Sequence, residues 1–467
     1  MNADNAAVRP AATISGRLAQ HVIATRWEDI PPAAVQSSRR LALDTLAVAW
    51  AGAAAPGVRE AHDLLAEEGG RPESTVWAYG GKLPARTAAF INSAAAAALD
   101  YDGMRATERG SVHADSVVLP AALAVAEREH ASGRDFLAAL VLGNDVVTRL
   151  GAASALPHKG WYHTAIYGIY GAAAAAARLL KLDADATQHA FGIALSQTAA
   201  TQLPNISHSL TKRFSSSFAA HAGVFSALLA ARGITAPREA FEGKFGFYAL
   251  YQPGDPAVLF ADLGKTYPHV ETAIKKYPSC ACNHTAIDAA VHLVGAHDIA
   301  PADVAAVEVI ISPYVDRLVG APFVPGANPQ VAAQFSVQYS VACAILRRRL
   351  SVADIEDDAV CEPAVGALAR SVKVTVDDAR GNSRGATVRI TSRRHGLLEK
   401  HVEHIPGSAA SPLAAADLDR KFRECTQAGE FALGSARTAA LVARIETIES
   451  VADMARCFEG IMKNVKF

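Results

Sequence analysis

Ten consecutive residues, Lys275-Lys276-Tyr277-Pro278-Ser279-Cys280-Ala281-Cys282-Asn283-His284, bring amines, thiols and an imidazole into one short stretch. Pro278 fixes its own φ and biases Tyr277 toward an extended conformation, so the stretch reads as a loop. The spacing of Ala286, Ile287, Ala289, Ala290 and Leu293 then predicts a helix. Cys280, Cys282 and Asn283 thereby fall at or just before a helix N-terminus, with His284 in its first turn, where free N–H groups favour an anion. A zinc site built from Cys280, Cys282 and His284 lacks a second cysteine knuckle. An iron–sulfur cluster would need a third suitably placed cysteine, and Cys343, Cys361, Cys425 and Cys457 lie in stretches that read as helix or helix edge. No metal is expected. Cys280 is left as either a nucleophile, activated by the helix end and the lysines, or a polar wall of a pocket.

Three further concentrations of chemistry precede it. Leu99 to Pro120 carries Asp100, Asp102, Arg105, Glu108, Arg109 and His113 between two alanine-rich helices, and loops on rigid helices are where sites are carried. Asp100 and His113 each abut an apolar helix, which places them at a helix mouth facing inward; Glu108 and Arg109 read as solvated. The run His158-Lys159-Gly160-Trp161-Tyr162-His163 leads into a Gly/Ala helix. Lys212-Arg213 stands at the start of another helix, where two cations oppose the dipole unless an anion lies between them. A carboxylate, several imidazoles and several lysines at helix beginnings suit a small polyanion and proton transfer at a carbon next to a carboxylate. Such a carbon acid is weak, so cations must neutralise the carboxylate while a base takes the proton.

The elements that position these groups are mostly helical. Apolar periodicity predicts helices over 35–52, 85–99, 117–130, 135–150, 164–182, 185–199 and 218–232. Gly168, Gly171 and the run Ala172 to Ala177 would let a neighbouring helix backbone approach closely. After about Leu263 strands are predicted over 304–311, 371–376, 386–391 and 401–405, with helices over 285–294 and 330–346 between them. Helical pattern returns over 414–425 and 436–445. The fold class read from this is mainly α: an all-helical domain built from both chain ends, 1–265 and 409–467, with an inserted, smaller α+β lid domain over 266–408.

Composition narrows the functional classes. An apolar share of 51% is carried by alanine, and only 7% of residues are aromatic, which suits closely packed helices. A formal charge of −1 and the lack of a basic run give no field for nucleic acid. Thr45 to Ala55 and Thr164 to Ala177 are too short to cross a bilayer, which needs about 20 apolar residues. Met1 to Ser15 carries acidic and polar residues where a secretory signal would be basic and then apolar, so a cytoplasmic protein without membrane attachment is expected. Six scattered cysteines do not resemble a disulfide framework. Gly264-Lys265-Thr266 ends like a phosphate loop, but Leu259 stands where that motif needs glycine. Dinucleotide, serine-hydrolase and zincin motifs are likewise missing.

Taken in combination, several of these motifs resemble the MmgE/PrpD family, which includes 2-methylcitrate dehydratase, cis-aconitate decarboxylase and iminodisuccinate epimerase. They are Leu99-Asp100-Tyr101-Asp102, His113 with Val118-Leu119-Pro120, Thr211-Lys212, Lys275-x-Tyr277-Pro278-Ser279-Cys280 with His284 and Ile287-Asp288, and Gln334-Phe335-Ser336 with Tyr339. The resemblance runs from about Leu41 to about Phe422. It implies an all-helical domain with an α+β lid, a homodimer, no cofactor, and a site between helical domain and lid that takes a small polycarboxylate. Carried over by position, it implies Asp100, His113, His163 and Lys212 as catalytic groups. Lys275, Cys280, His284, Tyr314, Arg213 and Tyr162 follow as substrate-binding groups. The activity implied is a 2-methylcitrate dehydratase-like lyase, with an epimerase of the iminodisuccinate type, a cis-aconitate-type decarboxylase and a non-catalytic polycarboxylate-binding scaffold as alternatives. The decarboxylase branch has histidine at the position of Cys280 and threonine at that of Met104. Aligning on Gly168 puts Tyr162 at the family's histidine, with His163 one position late. Where family members often have a histidine and an arginine after the lysine, this chain has Ser215 and Phe218.

Overall fold

A computed structural model describes residues 13–462. Most of the stretch read as lacking a signal peptide lies outside them; of that stretch only Thr13 to Ser15 are described, and Thr13 caps the first helix by accepting from the Gly16 N–H. The described chain is mainly α with a small sheet-containing unit. The helical body is formed by helices Pro32–Gly52, Ala85–Ala98, Asp115–Arg128, Gly133–Ala153, His163–Leu179, Ala184–Leu195 and Thr211–Ala230. Each begins within a few residues of its predicted start except the last, which begins at Thr211, a full seven residues before Phe218.

Alanine and glycine set the spacing of this body. A Cβ placed on Gly171 would lie 2.7 Å from the Gly143 carbonyl oxygen, and one on Gly223 would lie 2.7 Å from the Ile169 oxygen. The His163–Leu179 helix is therefore in near backbone contact with two neighbours, as its small-residue run predicts. Alanine cores of this kind bury little area per residue but pack many atoms at contact distance. Gly133–Ala153 is 21 residues long and apolar enough to cross a membrane by composition; 94% of its most apolar window is buried inside the protein.

The smaller unit carries a four-stranded sheet in the order Val372–Val376, Val304–Ile311, Ala386–Ser392, Gly396–Val402. The first pair is parallel and the other two are antiparallel. Val307, Val309, Ile311, Val388 and Ile390 are buried on one face, the alternation a half-buried strand requires. That face packs on the Ala281–Ala296 helix. The fourth strand lies at 396–402 rather than the predicted 401–405, because the turn from Ser392 to Gly396 is tight and Gly396, at φ +71°, starts the return immediately. The predicted 330–346 helix is two helices, Pro329–Gln334 and Val337–Arg347, with Ser336 capping the second by accepting from the Tyr339 N–H. Helix Ala415–Gln427 then returns to pack on Pro32–Gly52. There Lys421 Nζ meets Asp44 at 2.6 Å and donates to the Tyr101 carbonyl at 3.0 Å.

Candidate active site

The site begins where the Ala85–Ala98 helix ends. Asp100 has φ +49°, the left-handed conformation that closes many helices and that aspartate tolerates better than most residues. This turn aims its carboxylate inward, and only 4% of the residue is exposed. Lys212, from the start of the Thr211–Ala230 helix, donates to Oδ1. Lys275 donates to Oδ2 at 2.8 Å and to the Asp100 carbonyl at 2.5 Å. Lys275 arrives there because Met104 and Ala273 exchange backbone hydrogen bonds of 3.0 and 2.9 Å, which lays the two chain segments side by side. Both lysines also stand at the carbonyl end of a helix dipole, which favours cations. Burial alone would push the Asp100 carboxyl up; the charges of Lys212 and Lys275 outweigh it and hold the group well below the usual carboxylate range.

The adjacent short hairpin, Arg105–Thr107 with Gly110–Val112, delivers His113. Its backbone N–H donates to Thr164 Oγ1 at 3.1 Å, and its Nδ1 lies 3.3 Å from Asp102 Oδ2. Asp102 is 2% exposed, and although burial raises its carboxyl, the neighbouring His113 brings it below its ordinary value. The Asp102 carboxylate favours a proton on the nearby Nδ1, although the contact is an ion pair and not a well-aligned hydrogen bond, and Nε2 is then the nitrogen free to exchange a proton.

Tyr162 and His163 part company. Tyr162 is the cap residue of the His163–Leu179 helix. Burial, followed by the charges of Asp102 and Asp100, pushes its phenol up, so it remains a protonated hydrogen-bond donor beside the acids. His163 instead packs edge to face on His158, ring centres 4.4 Å apart, and on Tyr167 at 5.3 Å. Burial and the neighbouring His158 push it down to about 3. An imidazole with so low a value is a poor proton acceptor near neutrality. Arg213 also turns away: one step along the helix from Lys212, it donates to the Pro56 carbonyl and, at 2.8 Å, to Gln330 Oε1. Burial pushes its guanidinium down to about 10.

The sheet-containing unit supplies the remaining candidate groups. The Ala281–Ala296 helix begins after Cys280, whose N–H donates to the Gln334 carbonyl at 2.9 Å. Gln334 Nε2 donates to the Ala98 carbonyl at 3.0 Å, so this one residue ties the start of the Ala281–Ala296 helix to the end of the Asp100 helix. A hydrogen bond to Cys282, then burial, push the Cys280 thiol up, while the same bond pulls Cys282 down. Cys280 is thus held as a thiol, which favours the polar-wall reading. His284 is fully buried, its Nε2 3.3 Å from the Ser279 carbonyl, and burial plus the Lys275 charge push it down to about 3. Among the described residues no group of three His, Cys, Asp or Glu side chains converges as a metal site. Burial, then Cys282, push up the phenol of Tyr314, which stands on helix Pro313–Val319.

Among the predicted groups, Asp100, Lys212 and Lys275 are in direct contact and His113 joins them through Asp102; Tyr162, Cys280 and His284 feel the charges of Asp100 and Lys275, and Tyr314 is held by Arg384. His163 and Arg213 point elsewhere. The sequence reading gave no role to Asp102, although its spacing from Asp100 on an extended segment was visible. It also missed Arg384, which precedes strand Ala386–Ser392 and donates to Ser111 Oγ at 3.0 Å and to the Tyr314 hydroxyl at 3.5 Å.

The description "MmgE/PrpD N-terminal domain" matches residues 16–259, and "MmgE/PrpD C-terminal domain" matches residues 277–449. The chain belongs to the MmgE/PrpD family. Among curated family relatives it is similar to the cis-aconitate decarboxylase of Aspergillus terreus, 28% identical over 425 residues, covering 85% of this chain and 86% of that one. The human cis-aconitate decarboxylase is 28% identical over 408 residues, covering 83% of this chain and 82% of its own. A cis-aconitate decarboxylase-like protein, oryM, of Aspergillus oryzae is 28% identical over 298 residues; the match spans 60% of this chain and 61% of that relative.

Proposed function

We propose that this family member is a cofactor-independent lyase acting on a small di- or tricarboxylic acid, and that it removes a proton from a carbon next to a carboxylate. The observation that carries the reading is the adjacency of two buried pairs: Asp100 between Lys212 and Lys275, and His113 on Asp102. Each lysine ammonium has three N–H donors, and Asp100 with its neighbouring carbonyls uses at most two of each, so both keep a donor for a substrate carboxylate. Neutralising that carboxylate lets the adjacent carbon release its proton, with the developing enediolate charge held by the lysines. His113 Nε2 takes the proton, and Asp102 stabilises the imidazolium. Asp100 is too weak a base for this step and acts by holding the lysines in place.

Tyr162 favours dehydration over epimerisation. It offers a phenolic O–H to a departing hydroxyl, whereas an epimerase needs a second proton acceptor on the opposite face, and neither His163 nor His284 is basic enough to serve. Decarboxylation is the second reading, favoured by the curated relatives and opposed by Cys280 and Met104. The test is NMR of the protein with citrate, 2-methylcitrate, the aconitates and iminodisuccinate. Loss of water to give an alkene supports the dehydratase; carbon dioxide release identifies the decarboxylase; α-proton exchange with inversion and no alkene identifies the epimerase. No turnover of any acid contradicts the lyase assignment.

A further inference from the structure

The cations around the site are nearly all spoken for. Lys212 and Lys275 share Asp100, Lys276 meets Asp288 at 2.6 Å, Lys421 meets Asp44 at 2.6 Å, and Arg105 meets Glu271 at 2.6 Å. Arg384 is different. Its guanidinium stands over the Tyr314 ring, 5.0 Å from the centroid, and one nitrogen, Nη2, makes both of its side-chain hydrogen bonds, to Ser111 and Tyr314. Among the described residues it has no carboxylate partner. Arg317 approaches the same ring at 5.6 Å and is also without an acid.

This unpaired arginine is rigidly seated. Its carbonyl accepts from Thr285 Oγ1 at 2.8 Å on the Ala281–Ala296 helix, and the preceding Ser383 carbonyl accepts from Ser312 Oγ at 2.7 Å. It is half-buried, and Ser111, to which it donates, lies on the same hairpin strand that leads into His113. A guanidinium has five N–H donors in a planar fork that matches a carboxylate in two-point fashion. Nη1 keeps both of its donors, and the Nη2 contact to Tyr314, at 3.5 Å, is long enough to yield to a stronger acceptor, so the Nη1/Nη2 edge is open to a carboxylate while Ser111 keeps its 3.0 Å bond. Holding an arginine half-buried and unpaired is unfavourable unless an anion completes it.

We infer that Arg384, seated on Tyr314 and Ser111, is the recognition group for a second substrate carboxylate remote from the reacting carbon. It rests on the polycarboxylate reading above and adds to it which side chain takes the second carboxylate, the lysine pair holding the one next to the reacting carbon and this fork the other. A monocarboxylate of the same carbon skeleton would leave the fork empty and bind weakly.

Calorimetry at low salt tests this on the full chain with tricarballylate, succinate and butyrate, stable acids that need no turnover. The wild type is expected to prefer tricarballylate and succinate over butyrate. Arg384→Gln is expected to weaken the polycarboxylates by about 30-fold or more while leaving butyrate within about threefold, which erases the preference. Arg384→Lys is expected to recover only part, because it keeps the charge and loses the fork. Arg317→Gln, which removes the same charge without that seat, is expected to have a several-fold smaller effect than Arg384→Gln. If Arg384→Gln binds the polycarboxylates as the wild type does, or if Arg317→Gln has an equal effect, the inference fails while the polycarboxylate reading stands. If the wild type binds none of the three acids, both fail. Equal melting temperatures for wild type and variants are the check on folding.

Discussion

The groups from the helical body and those from the sheet-containing unit are built on opposite electrostatic plans. On the helical side, Asp100, Asp102, His113, Lys212 and Lys275 are almost sealed from solvent and compensate one another pairwise. In the sheet-containing unit, Tyr314 and Arg384 are half-buried, and the arginine has no acid among the described residues. A compensated, buried cluster cannot tolerate loss of a member, because each charge left behind is stranded. An uncompensated, half-open one is waiting for an anion. The difference assigns chemistry to the helical wall and recognition to the sheet-containing unit, and the variants below set that division at risk.

The largest effect is expected at the centre of the helical wall. Asp100→Ala strands two buried ammonium groups, so it should cost ~3–5 kcal/mol of stability in denaturant unfolding and abolish turnover. Stability within about 1 kcal/mol of the wild type would mean that the pairing does not hold this wall together. Next, Tyr162→Phe should lower kcat by about 10²-fold with the melting temperature preserved, whereas His163→Gln should lower it far less. A reversal of that order would return the catalytic role to His163.

Behind the wall, Asp115 is fully buried, accepts from Asn144 Nδ2 at 2.8 Å, and is pushed up to about 7 mainly by burial. A carboxyl raised from its ordinary value of 3.8 contributes stability that is complete below that value and is lost as pH climbs through about 7. The wild type should therefore lose on the order of 1–3 kcal/mol between about pH 4 and pH 8 that Asp115→Asn does not lose, in denaturant titrations at several pH values. Parallel curves for the two proteins would contradict the assignment. The smallest effect is in the sheet-containing unit. Cys280→Ser should leave kcat within about threefold, since a thiol held protonated is no nucleophile. Complete loss of activity would reinstate covalent catalysis.

Much of this architecture was readable from sequence, and the exceptions share a cause. Helical periodicity and small-residue runs gave the body of the fold, and Val304–Ile311 stands at its predicted limits because β-branched residues are dense there. Asp100, Lys212 and Lys275 stood out because charged residues beside alanine helices are conspicuous. What failed was set by tertiary contact. The 330–346 helix breaks because the Gln334 carbonyl is claimed by Cys280 N–H and by Asn283 Nδ2 at 3.1 Å, partners about fifty residues away. Arg384 sits in Arg380-Gly381-Asn382-Ser383-Arg384-Gly385, which reads as an ordinary surface turn until the strand beside it swings the arginine onto Ser111. Between Tyr162 and His163 the choice turned on a single residue at a helix start, where sequence boundaries are least secure.

The central claim is that His113, paired with Asp102, moves the proton at a carbon next to a carboxylate. It is tested most directly by following deuterium entry from deuterated water into a bound polycarboxylate by NMR, for the wild type and for His113→Ala. Exchange at the carbon next to a carboxylate by the wild type, slowed by about 10²-fold or more in His113→Ala with an unchanged melting temperature, is the expected result. Exchange at the wild-type rate in His113→Ala would contradict it.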